Sequence, residues 1–177
     1  MNKIRIIGGD LRSRLISFPD ADGLRPTPDR VRETLFNWLG QTLYGRTCLD
    51  LFAGSGALGL EAASRGAEQV VMVETDRAAL RSLQENVRKL GCTNVSVRGE
   101  DGLEFVLRDA SKYDVIFLDP PFRKDYLPGL LKILPERLNE NGMVYVESGA
   151  PLEIAPPWKA IKSGKAGQVH YQLLKIE

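Results

Sequence analysis

The tetrapeptide Asp119-Pro120-Pro121-Phe122 puts two kinds of chemistry within four residues: polar acceptors and a flat apolar ring. Consecutive prolines remove two backbone donors and hold the chain extended. The Asp119 carboxylate and the Pro120 carbonyl are left as rigidly held acceptors. Acceptors of this kind suit an exocyclic amine of a nucleobase, whose lone pair is delocalised into the ring and therefore attacks poorly. Holding the amine hydrogens favours a more tetrahedral nitrogen with its lone pair aimed at an electrophile, and positioning supplies much of such catalysis. Phe122 offers a face on which an unstacked base can lie. By itself Asp-Pro-Pro-Phe is an ordinary strand-ending turn. Its place after a run of cofactor-type residues turns the reading towards a site.

That run is Cys48-Leu49-Asp50-Leu51-Phe52-Ala53-Gly54-Ser55-Gly56-Ala57-Leu58-Gly59, which follows an apolar strand and enters a helix directly. Glycines there permit a tight turn and let a ligand approach the main chain. Glu74 ends the next apolar run, twenty residues after Gly54, where a carboxylate reaches the ribose hydroxyls of an adenosine ligand. Gly54-x-Gly56-x-x-Gly59 also satisfies the dinucleotide fingerprint, so NAD is the competing cofactor. Asp50 separates the two. A carboxylate at the strand end repels a pyrophosphate but attracts the positive charge of a sulfonium or an α-amino group, which favours S-adenosylmethionine. Asp101, after the third apolar run, is placed to accept from an adenine amino group and equally to cap the following helix.

The elements that must hold these residues alternate. Short apolar runs at 47–51, 69–74, 94–98, 113–118 and 143–147 are separated by helical patterns at 57–65, 77–90, 102–108 and 126–138. In the second helix Leu80, Leu83, Val87 and Leu90 share one face, Asp76 caps its start and Gly91 its end. Strand–helix alternation predicts an α/β fold with a mostly parallel sheet covered on both faces, the edge at which Asp50, Glu74 and Asp119 fall together. Residues 4–7 and 14–18, around Gly8-Gly9, read as a small hairpin ahead of the main domain. A helix spans 29–43 behind Pro28. Residues 158–162 and 169–176 form a last antiparallel pair around a turn at 164–167.

The chain has 177 residues, is 43% hydrophobic and 27% charged, and carries a net charge of +1. This is the composition of one globular domain, with residues 1–18 as an extension and 25–177 as the core. No apolar run is long enough to span a bilayer and the start lacks a secretion signal, so a cytoplasmic location is the expectation. The near-neutral average hides basic ends: Lys3, Arg5, Arg12 and Arg14 oppose only Asp10, and Lys159, Lys162, Lys165 and Lys175 oppose only Glu177. A polyanion is drawn to such ends, although charge runs are usually just solvated surface.

Several residues read as structural. Cys48 and Cys92 lack metal-ligand or disulfide spacing. The single histidine, His170, lies within a strand with no ligand cluster around it, and amine methylation needs no strong base before attack. Trp38 falls on the apolar stripe of its helix. Tyr126, four residues after the tetrapeptide, is either a surface residue or the border of a base pocket. A non-catalytic nucleotide-binding module is the alternative of a different class. Retention of Asp119 and Phe122 argues against it.

On these motifs the chain resembles class I amino-methyltransferases, whose tetrapeptide is (Asp/Asn/Ser)-Pro-Pro-(Tyr/Phe/Trp). More narrowly it resembles the bacterial 16S ribosomal RNA guanine-N2 methyltransferases. The likeness runs through Arg5-Ile6-Ile7-Gly8-Gly9, the long segment 24–39 beginning Leu24-Arg25-Pro26-Thr27-Pro28-Asp29-Arg30, Asp50 to Gly59, Asp119 to Arg123, Val146-Glu147-Ser148 and Ala166-Gly167-Gln168-Val169. It implies a Rossmann-like seven-stranded sheet with a C-terminal antiparallel hairpin, S-adenosylmethionine as donor, and guanine N2 of 16S RNA in the small subunit or an assembly intermediate as target. Cofactor contacts would fall on Asp50, Phe52, Ala53, Gly54, Ser55, Gly56, Gly59, Glu74 and Asp101. RNA contacts would fall on Lys3, Arg5, Arg12, Arg14, Arg25, Arg30 and Arg123. The enzyme would act as a monomer without a metal. A methylase of adenine or cytosine in DNA is the nearest alternative, disfavoured by the absence of a recognisable DNA-reading domain.

Overall fold

The structure is a computed structural model and describes residues 1–20, 26–121 and 125–177. Arg25, Phe122 and Arg123 therefore lie outside the described residues. Seven strands form the central sheet: β3 (Thr47–Asp50), β4 (Gln69–Val73), β5 (Val95–Arg98), β6 (Tyr113–Leu118), β7 (Leu138–Ser148), β8 (Trp158–Ala166) and β9 (Val169–Ile176). Their spatial order is β5-β4-β3-β6-β7-β9-β8. The pairings from β5 to β7 are parallel, and β9 is antiparallel to both β7 and β8. The order reverses between β3 and β6. This switch point is where an open α/β sheet binds ligands beyond its carboxyl ends.

Side chains alternate across the sheet and divide the core in two. One cluster joins Cys48, Val70, Met72, Val115, Phe117 and Tyr145 to the helices α1 (Asp29–Trp38), α2 (Ala57–Ser64) and α3 (Arg77–Leu90). The other joins Leu49, Leu51, Ile116, Leu118 and Val144 to α4 (Gly102–Arg108) and α5 (Leu127–Ile133). The small N-terminal hairpin, β1 (Asn2–Arg5) with β2 (Leu15–Phe18), lies against α3 on the first face. Asn86 anchors it: the side-chain amide of this buried α3 residue donates to the Ser17 carbonyl at 2.8 Å and its oxygen accepts from the Ser17 N–H at 3.4 Å. This is why Asn86 is buried on the stripe that the apolar spacing assigned to Val87, itself half-buried.

The first hairpin strand is Asn2–Arg5 where 4–7 was expected, and β7 begins at Leu138 where its apolar run was read from 143. Three further boundaries differ from the sequence expectation, each for a local reason. The first helix stops at Trp38 and not at residue 43, because Gly40 takes φ +99° and a Schellman cap closes the end, Gln41 N–H to Phe36 O at 2.7 Å and Gly40 N–H to Asn37 O at 3.2 Å. The helix expected at 126–138 is α for Leu127–Ile133 and 3-10 for Leu134–Arg137. Pro135 has no N–H to offer Leu131, and the freed Leu131 carbonyl accepts from the Trp158 indole at 2.7 Å. At the C-terminus β8 runs on to Ala166, so Gly164 and Lys165 are strand residues and the turn is confined to Gly167-Gln168. The caps on α3, Asp76 accepting from Ala79 N–H at 2.9 Å and Gly91 at φ +69°, are those expected.

Candidate active site

Asp50 ends β3, Glu74 follows β4, Asp119 follows β6 and Glu147 lies near the end of β7. Parallel register brings all four carboxylates to one edge of the sheet. The glycine loop wraps the first two. Gly54 N–H donates to Glu74 Oε1 at 2.8 Å, Ala53 N–H to the Val73 carbonyl at 2.9 Å, and Gly59 N–H to Asp50 Oδ2 at 2.9 Å. Gly54 (φ +54°) and Gly56 (φ +85°) supply the left-handed turns into α2. At Gly59 the constraint is space. A Cβ there would lie 2.7 Å from Met72 Sδ and 3.1 Å from Asp50 Oδ2.

Glu74 is half-buried and already committed. Its Oε2 accepts from the N–H groups of Thr75 and Asp76 at 3.0 and 2.9 Å. A carboxylate has about four acceptor positions, so one position, on Oε1, is left for a hydroxyl. Asp50 is only 1% exposed and therefore reaches a ligand through its charge and its hold on the Gly59 loop. Burial pushes its carboxyl up to about 7, with Glu74 and Glu147 adding to the shift and the Gly59 N–H opposing it. Asp101 caps α4 by accepting from Glu104 N–H at 3.1 Å, and it is half-buried at the same edge. Phe52 and Tyr126 pack with ring centroids 5.4 Å apart, which joins the glycine loop to the start of α5.

At the tetrapeptide the sequence reading omitted a residue. Leu118 pairs with Val146, so the next residues, Asp119 and Glu147, stand side by side on adjacent strands and face the same way as Phe117 and Tyr145. Their carboxyls are within hydrogen-bonding reach of each other. Burial raises both, and the negative charge of Glu147 and then of Asp50 raises Asp119 further. Thr27 donates from Oγ1 to Glu147 Oε2 at 2.7 Å, and this bond opposes the rise at Glu147. No ion pair to Asp50, Glu74, Asp119 or Glu147 is present among the described residues. A group of anions concentrated in this way fits a ligand that brings positive charge and hydrogen-bond donors.

The basic residues do not gather here. Lys3, Arg5, Arg12 and Arg14 are exposed on the hairpin. The turn of the hairpin is bound by the end of α2, with Asp10 N–H donating to the Ser64 carbonyl at 2.8 Å, and Arg14 reaches the Lys89 carbonyl near the end of α3. Both helices run back from the catalytic edge, so Arg12 and Arg14 sit at the opposite edge of the sheet. Arg30 is exposed in the first turn of α1, three residues from Thr27, and so borders the site. Trp38 is half-buried and stacks on Tyr171 at 5.4 Å. His170 is half-buried in β9, and Cys48, buried in β3, has its thiol pushed up to about 12 by burial.

Sheet order, glycine loop and acidic edge together are those of a class I methyltransferase. A family model described as conserved hypothetical protein 95 matches residues 4–175. The ribosomal RNA small subunit methyltransferase D of Escherichia coli strain K12 is 42% identical over 99% of this chain and 91% of its own length. Its Haemophilus influenzae namesake is 38% identical over 97% and 93%. A solved Escherichia coli chain, yhhF, carrying a methyltransferase assignment, superposes with a TM-score of 0.90 at 41% identity, covering 99% of both chains. This chain belongs to that family, the ribosomal RNA small subunit methyltransferases of type D.

Proposed function

We propose that the protein methylates the exocyclic N2 of a guanine in 16S RNA, with S-adenosylmethionine as donor, on the small ribosomal subunit or an assembly intermediate. The observation that carries this reading is the row of carboxylates at the switch point, held without a cation among the described residues, one strand from Asp119-Pro120. Family membership supports the RNA substrate and the transferase chemistry. The cofactor, when bound, supplies an electrophilic methyl group on a positively charged sulfur.

The chain's own residues then divide the work. Asp50 and the backbone of Phe52, Ala53, Gly54, Ser55, Gly56 and Gly59 hold the charged amino-acid end, Glu74 takes a ribose hydroxyl, and Asp101 faces the adenine. Asp119 and the Pro120 carbonyl hold the hydrogens of the target amine and turn its lone pair towards the methyl, while Phe122 supports the base. A new N–C bond forms as the methyl leaves sulfur with the C–S electron pair staying behind, and the excess proton passes from nitrogen to Asp119. Arg30, exposed at the start of α1 beside the site, is the described RNA contact nearest the chemistry, and the family motifs assign Arg25 and Arg123 to the RNA as well. Lys3, Arg5, Arg12 and Arg14 contact phosphates farther along a substrate large enough to wrap the first face.

The test is methyl transfer from labelled S-adenosylmethionine to small subunits prepared from cells lacking the protein, followed by digestion to nucleosides. N2-methylguanosine in 16S RNA is the expected product. Label in another nucleoside, or no transfer despite cofactor binding, overturns the reading.

A further inference from the structure

We infer that Glu147 selects the base: it accepts the N1–H of guanine while Asp119 accepts a hydrogen of the adjacent N2 amine. The inference rests on the guanine reading above and deepens it by assigning a residue to specificity. The tetrapeptide alone reads only an amine, which guanine, adenine and cytosine all possess. What separates them is the ring nitrogen next to that amine. In guanine it carries a hydrogen; in adenine and cytosine it carries a lone pair. A second carboxylate beside Asp119 therefore welcomes guanine and repels the other two.

The placement of Glu147 meets this requirement. Parallel pairing of Leu118 with Val146 sets Asp119 and Glu147 next to each other across one strand spacing, roughly 4.8 Å. Guanine's two donors are likewise neighbours on one edge of a flat ring. Glu147 is 3% exposed, and one of its oxygens, Oε2, is fixed by the Thr27 hydroxyl at 2.7 Å, which orients the other. Two adjacent carboxylates with no ion pair among the described residues hold a proton between them. Guanine replaces that shared proton with two donors, one for each carboxylate. Two residues back on the same face, the buried Tyr145 hydroxyl stands within reach of Glu147 and donates to that carboxylate when it is charged.

The test uses small subunits reconstituted with 2-aminopurine in place of the target guanine. This base keeps the 2-amino group but presents a lone pair at N1. The full-length wild-type protein is expected to prefer guanine in kcat/KM by about 10–150-fold, the range of one well-formed base contact. In Glu147→Gln the side-chain oxygen still accepts from Thr27 while the amide NH2 donates towards N1, so the preference collapses to near unity or inverts, with cofactor affinity unchanged. The missing O6 of 2-aminopurine affects both proteins alike, so the change in the ratio isolates Glu147. Equal use of both bases by the wild type, or a Glu147→Gln enzyme that loses activity on both in the same proportion, overturns the inference and leaves the guanine reading standing. Absence of N2-methylguanosine from the wild-type reaction overturns both.

Discussion

Two sets of buried carboxylates share the first face of this sheet, and they are treated oppositely. Glu61, fully buried on α2, is matched on every side. Its oxygens accept from Ile7 N–H and Gly8 N–H at 2.9 Å each, from Arg65 Nε at 2.9 Å, and from the fully buried Arg32 at 3.4 Å. Arg32 in turn donates to the carbonyls of Thr27 and Arg5 and pairs with Asp29. Asp50 and Glu147 are 1% and 3% exposed, yet among the described residues they have backbone or hydroxyl donors and no cation. The desolvation penalty of a buried ion is similar in both places. Around Glu61 it is offset within the protein, and the result fastens hairpin, α1 and α2 together. At the catalytic edge it is left to be offset by whatever binds, which is how a site acquires affinity for positive charge and for donors.

The sharpest way to break this contrast is at Asp119. Asp119→Ala removes an acceptor that acts on the reacting nitrogen, so kcat should fall by about 100- to 1000-fold, while S-adenosylmethionine affinity and melting temperature stay near wild type. Single-turnover methyl transfer together with equilibrium cofactor binding checks both halves. A loss of stability comparable to the loss of rate would put Asp119 in the structural set.

At Glu61 the expectation reverses. Glu61→Ala leaves Arg32 without its buried carboxylate and two backbone N–H groups without acceptors, a change that costs roughly 3–5 kcal/mol. For a chain of this size that lowers the melting temperature by about 6–20 °C. Below the transition, the rate per folded molecule should be unchanged. A fall in kcat at full folding would mean that the fastened hairpin takes part in the chemistry.

Asp50 offers a smaller effect with a signature in pH. A carboxyl raised from an ordinary 3.8 to about 7 favours the protonated native state, so the stability it contributes is present at low pH and is lost as pH rises from about 4 through 7. Asp50→Asn should therefore gain stability relative to wild type across that window, by thermal melts at pH 5 and 8. A cationic ligand needs the ionised form. Wild-type affinity for S-adenosylmethionine should rise up to about tenfold per pH unit below 7 and level off above it, and in Asp50→Asn it should be weaker and flat. A flat wild-type profile would remove Asp50 from the electrostatics of binding.

How much of this was readable from the chain follows from the range of the contacts. The glycine loop, the Asp76 and Gly91 caps, the strand that leads into Asp119 and the antiparallel pairing of the last two strands are local patterns, and these were readable from spacing, with only the turn between the last strands displaced. The Glu61–Arg32 pair and the Asn86 anchor are not local. They look like polar interruptions of helical stripes until the fold brings partners from 29 and 69 residues away. Glu147 was legible as part of a motif but not as the neighbour of Asp119, because that depends on the register of β6 against β7. Charge counting likewise grouped the basic residues of the hairpin, whereas the direction of α2 and α3 carries Arg12 and Arg14 to the far edge.

Thr27 joins the two sets, and it gives the finest test. Its backbone carbonyl accepts from Arg32 Nε at 3.2 Å and its hydroxyl donates to Glu147 at 2.7 Å. Thr27→Val preserves the shape and the carbonyl, so the fastening around Glu61 persists, and cuts only the link to Glu147. A hydrogen bond to a charged group contributes about 1.5–3 kcal/mol, most of which appears here as misplacement of the Glu147 carboxylate. The expected result is a fall in kcat/KM on guanine of about tenfold, little change in cofactor affinity or melting temperature, and recovery in Thr27→Ser, which restores the hydroxyl. If Thr27→Val instead melts early, the hydroxyl belongs with Glu61 as a fastening; if Thr27→Ser fails to recover activity, the methyl group of Thr27 rather than its hydrogen bond is what sets Glu147 in place.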